Sequence, residues 1–120
     1  MRLFKTLMIV FLIAGIWSSC QKEYFKTPAF DPNAVISFNA DLQPILSSKC
    51  TNSGCHNGSV SPNLTSGKAY ASLNDGGYLD TLNPSQSILM IKLNTNMPPG
   101  KLPPATISKF LLWMSKGAKE

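Results

Sequence analysis

The ten residues 49–58, KCTNSGCHNG, hold two of the chain's three cysteines and its only histidine. Glycine, serine and asparagine surround them, so the segment is a loop, not part of a regular element. Two thiols and an imidazole in one loop constrain the chain more than any other feature. Whatever engages Cys50, Cys55 and His56 dictates how the remaining segments pack. Which chemistry is open to them depends first on the compartment.

Residues 1–19, MRLFKTLMIVFLIAGIWSS, set Arg2 and Lys5 ahead of an apolar run from Leu7 to Trp17. That is the order of a secretory signal, and the run is too short for a membrane span. The end of the run, Trp17-Ser18-Ser19-Cys20, resembles the lipobox at which bacterial lipoprotein signals are cut and the cysteine is diacylated. The resemblance implies that Cys20 becomes a lipidated first residue. An uncleaved anchor, or an ordinary signal with an incidental cysteine, stays open as the alternative. The expectation is an exported inner- or outer-membrane lipoprotein facing the periplasm or the cell surface, where thiols do not stay free unless chemically occupied.

Cleavage at Cys20 removes two cations and no acid, so the net charge falls from +5 to +3. This is too weak and scattered for nucleic-acid binding. Lys49, Lys68, Lys92 and Lys101 form a solubilising surface that is also able to steer an acidic redox partner. The mature chain suffices for one small domain, and a bound cofactor would help to fill its core. Residues 20–36 read as the lipidated cysteine and a flexible tether, the part after Cys20 spanning at most about 55 Å when extended. An arm packed through Tyr24, Phe25 and Phe30 is the competing reading. Residues 37–120 form the domain.

Within it, Asn39 is expected to cap a short helix through ADLQPILSSK, with Leu42, Ile45 and Leu46 on one stripe and Pro44 in or near the first turn. A weak helix over 66–73 presents Ala69, Tyr70 and Leu73, and NDGGY at 74–78 turns the chain. Asn83-Pro84 reads as cap and first residue of a helix running through Leu93. Four prolines and a glycine forbid regular structure in NTNMPPGKLPP, residues 94–104. A last helix, about Pro104 to Lys116, sets Ile107, Phe110, Leu111 and Met114 on one face, with Gly117 at its C-terminal cap. No alternating strand is evident, so the fold class is all-α, with three or four short helices and long loops.

Four readings compete for the loop. A Cys50–Cys55 disulfide is the default in an oxidising compartment. A zinc site wants four ligands and finds only Asp41, Asp75 or Asp80 to complete it. A thioredoxin-type redox pair has the wrong spacing. Covalent haem attachment needs two thiols that reach the vinyl groups and a histidine directly after the second thiol, as Cys55-His56 supplies. Four residues separate the cysteines where two are usual, and Ser53-Gly54 is suited to bulge outward because glycine tolerates positive φ. A haem also needs a sixth ligand. Met90 and Met114 lie on apolar helix faces, whereas Met97 sits alone in a stiff proline loop.

CTNSGCH at 50–56, SPNL at 61–64, NMPPG at 96–100 and FLLWMSKGA at 110–118, in that order, resemble the single-haem cytochrome c domain of class I type. In particular they resemble short lipoprotein versions with an expanded cysteine spacing, and the likeness covers roughly residues 36–119. It implies a small cytochrome c-like fold wrapped around one covalently attached haem c. Cys50 and Cys55 would be the thioether attachments, and His56 and Met97 the iron ligands. The Pro62 carbonyl would accept from His56 Nδ1–H, Leu64 would pack on the haem face, and Trp113 would be core. The function implied is one-electron transfer between redox proteins, alone or as a subunit of a larger oxidoreductase, with no catalysis and no small-molecule substrate. The alternatives are a disulfide-bonded binding or structural lipoprotein, and a gas sensor or peroxidase-like protein should Met97 not bind iron.

Overall fold

The computed structural model describes residues 31–95, 97–99 and 101–120. The signal, Cys20 and the aromatic residues of the tether therefore lie outside the described residues. Of the tether only residues 31–36 are described, and Ile36 packs partly against the core.

Ser37 opens the first element, in place of the expected Asn39. Its hydroxyl accepts from Ala40 N–H at 3.2 Å, and Asp41 Oδ2 accepts from Ser37 N–H at 2.9 Å. The two bonds close a reciprocal cap around a π-helical turn, Phe38–Leu42. Pro44 explains why the turn is wide. Having no N–H to return to the preceding turn, it favours the longer bond that Gln43 N–H makes to the Phe38 carbonyl. Starting at Ser37 also turns both Phe38 and Leu42 inward, where they are 1% and 0% exposed. The turn runs straight into α1, Gln43–Lys49, which Cys50 caps by donating its N–H to the Leu46 carbonyl.

A long loop leads to α2, Ala69–Asp75, whose Ala69 and Leu73 are buried. The helix starts three residues later than the sequence suggests because residues 65–68 form a turn, with Lys68 and Ala69 both donating to the Thr65 carbonyl. After it, Tyr78 N–H returns to the Leu73 carbonyl. The expected single helix from Asn83 to Leu93 is two elements, a 3-10 turn Pro84–Gln86 and α3, Ile88–Thr95. Ser87 breaks them apart. It is extended, with φ −60° and ψ 149°, and its hydroxyl donates to the Pro84 carbonyl while accepting from Met90 N–H. A serine that serves the backbone on both sides competes with a continuous helix. Asn83 makes no cap bond.

α3 buries Leu89, Met90 and Leu93 and runs two residues into the segment expected to be irregular. α4, Pro104–Ser115, buries Phe110, Trp113 and Met114. Leu111, expected on this stripe, is 36% exposed, because the face is centred on Trp113. The Trp113 ring lies 5.2 Å from Phe38 and 6.4 Å from Tyr70, in an aromatic cluster that joins α4 to the first turn and to α2. Gly117 ends α4 at φ +96°, allowing Ala118 N–H to reach the Trp113 carbonyl. The described residues are helices and loops without a strand, and none of the helices is long and apolar enough to cross a membrane.

Candidate functional site

α1, the loop after it, α2, α3 and the 97–99 segment surround one cavity of 420 Å³. This is within the range of about 300–1,000 Å³ typical of cofactor sites. Cys50, Cys55, His56, Pro62, Leu64 and Met97 all line it. Its floor is aliphatic, with Leu46 from α1, Leu73 from α2, and Leu89 and Leu93 from α3. Among the described residues that line it, Lys49 and Lys92 carry ammonium groups and none carries a carboxylate.

The histidine is held at three points. Its N–H donates to the Cys50 carbonyl at 2.9 Å, and its carbonyl accepts from Leu64 N–H at 2.8 Å. Its Nδ1 lies 3.0 Å from the Pro62 carbonyl oxygen. A carbonyl only accepts, so this bond requires the proton on Nδ1 and leaves Nε2 as the nitrogen outside it. The four residues between the cysteines fold back on themselves. Cys55 N–H donates to the Asn52 carbonyl at 2.9 Å, and Gly54 takes φ +77°. The longer spacing is thus absorbed in a small turn while Cys50 and His56 stay hydrogen-bonded.

Both cysteines are free thiols, Cys50 buried and Cys55 half-buried. Burial first, and the neighbouring Cys55 second, push the Cys50 thiol above its ordinary pKa. Met97 stands at the rim with 41% of its surface exposed, beside the buried Pro98. Among the described residues no three His, Cys, Asp or Glu side chains converge as a metal-holding group, so the zinc reading gains no support. No family model, curated protein or solved structure matches this chain. Any assignment therefore rests on the residues themselves.

Sequence reasoning missed Gln43 and Ser72. Gln43, 7% exposed, donates from Nε2 to the Leu64 carbonyl at 3.1 Å and to Ser47 Oγ at 3.0 Å. Ser72 Oγ accepts from Asn63 N–H at 2.9 Å. The available signal was a polar residue at position 43, three before Leu46 and seven before Cys50, on the inward stripe of α1.

Proposed function

We propose that the chain is an exported, lipid-anchored, single-haem c-type cytochrome that passes one electron between redox proteins. The observation that carries this reading is the meeting of two free thiols, a histidine with its Nδ1 proton engaged and a methionine at one largely aliphatic cavity. The donor set suits the cofactor. Haem c held by Cys50 and Cys55 supplies a one-electron ferric–ferrous couple.

Attachment asks that both cysteines be reduced. Cys50 and Cys55 would hold the haem through thioether bonds, for which both are present as free thiols. Burial of Cys50 favours the protonated thiol. The Pro62 carbonyl fixes the histidine tautomer, so that Nε2 is the nitrogen offered to iron. Met97 offers its thioether from the 97–99 segment. Leu46, Leu64, Leu73 and Leu93 keep water from the interior, while Lys49 and Lys92 give the lining positive charge that favours an acidic partner.

The exposure of Met97 favours one second reading, in which the sixth position is open and binds a small gas or peroxide. The deciding experiment is the visible spectrum of the full chain, exported alongside c-type haem maturation factors, before and after denaturation. Sharp reduced bands on a haem that stays with the denatured chain, and is lost or loosened in Cys50→Ala and Cys55→Ala, establish the cytochrome. A colourless protein overturns it and leaves a disulfide-bonded lipoprotein. Carbon monoxide binding to the reduced protein identifies the open-site alternative.

A further inference from the structure

The Pro62 carbonyl and the Asn63 N–H belong to one peptide unit, and both of its polar ends are engaged. The oxygen receives His56 Nδ1 at 3.0 Å, and the N–H donates to Ser72 Oγ on α2 at 2.9 Å. A peptide is planar, so a partner that fixes the N–H also fixes the direction in which the C=O points. Two peptides further on, the Leu64 carbonyl accepts from the buried Gln43 Nε2 of α1 at 3.1 Å. Ser47 Oγ, one turn along α1, lies 3.0 Å from the same nitrogen and steadies the amide. Two helices therefore clamp the 62–64 backbone from two directions, and the carbonyl facing His56 lies within that clamp.

We propose that Ser72 and Gln43 are positioning residues that aim the Pro62 carbonyl at His56 and thereby keep the ring proton on Nδ1. The inference rests on the reading of His56 as a ligand through Nε2, because that is the nitrogen the arrangement leaves free. Neither residue lines the cavity. They act through the peptide between them and the ring. Because Asn63 N–H donates to Ser72, its peptide is polarised and the Pro62 oxygen is a better acceptor than an unpaired carbonyl.

His56 is the only histidine, so its Nδ1–H is a single identifiable proton. The test is the solvent-exchange rate of that proton by NMR on the full chain, in the ferrous state where haem is attached. Ser72→Ala and Gln43→Met each speed exchange by about three- to tenfold, the worth of weakening one hydrogen bond, and Ser72→Thr restores the slow rate. Trp113 Nε1–H, bonded to the Lys119 carbonyl at 2.7 Å, is the internal control and stays unchanged. If the His56 rate does not move in Ser72→Ala, or if the Trp113 rate rises in parallel, the positioning role is overturned. Should Gln43→Met fail to fold, Ser72→Ala decides alone, since the half-buried Ser72 loses only a hydroxyl. A wild-type chain that acquires no haem sinks the functional reading but leaves this measurement readable, because the hydrogen bonds lie wholly within the chain.

Discussion

The amide of His56 donates to the carbonyl of Cys50 at 2.9 Å, tying the histidine to the first cysteine across five intervening residues. With Cys55 N–H turned back onto the Asn52 carbonyl, the extra residues close into a small loop, and Cys50, Cys55 and His56 all line the cavity. Gly54 makes the loop possible, at φ +77° with no atom within 4 Å of where a Cβ would stand. Its requirement is therefore conformational and not steric. Gly54→Ala is expected to cost about 1 kcal/mol from the left-handed backbone alone. Denaturant unfolding of the haem-free chain measures it; a loss above about 3 kcal/mol would show that the site has no spare room.

Gly76 is required for the opposite reason. Its φ is an ordinary −78°, but a Cβ there would stand 2.6 Å from the Ser72 carbonyl and against the Tyr78 ring. Tyr78 lines the cavity and its carbonyl accepts Leu89 N–H from α3. Gly76→Ala should therefore destabilise by about 1–3 kcal/mol, as overpacking does. An unchanged unfolding midpoint would mean that the ring moves aside at no cost.

The two free thiols should differ in reactivity. Cys50 is buried with its pKa raised, so at neutral pH iodoacetamide is expected to label Cys55 first, with Cys50 following only as pH rises above the ordinary thiol range. A group that holds its proton more tightly when folded contributes stability fully present below the unfolded pKa, about 8.5. That contribution is lost as pH rises through the higher folded value. Peptide mapping after timed alkylation checks the order; equal labelling at pH 7 would contradict the burial of Cys50.

Met97 contributes little packing, with 41% of its surface exposed. Met97→Ala is accordingly expected to change the stability of the haem-free chain by less than about 1 kcal/mol. On the proposed haem reading, the same change should leave attachment intact and open the reduced form to carbon monoxide. Binding of the gas by the wild type and the variant alike would remove Met97 from the ligand set.

The comparison of sequence and structure divides along a physical line. Features that act within one turn of chain were legible. Pro104 and Gly117 bound the last helix to within a residue, and Pro44 falls in the first turn of α1. Features that depend on competition between neighbours were not. Ser37 displaced Asn39 as cap because starting earlier buries Phe38 against Tyr70 and Trp113. Ser87 split one expected helix in two because its hydroxyl serves both sides. Trp113 took the buried face of α4 from Leu111.

The sequence by itself determined which groups are available for chemistry, since ligating side chains are a matter of composition and their nearest spacing. Tertiary structure alone decided what holds them. Gln43, Ser72 and Pro62 come from three separated segments, and nothing in local propensity brings a helix amide, a helix hydroxyl and a loop carbonyl to the same stretch of backbone. Burial does so, because the backbone groups of residues 62–64 that turn inward must find partners there or lose their hydrogen bonds to water.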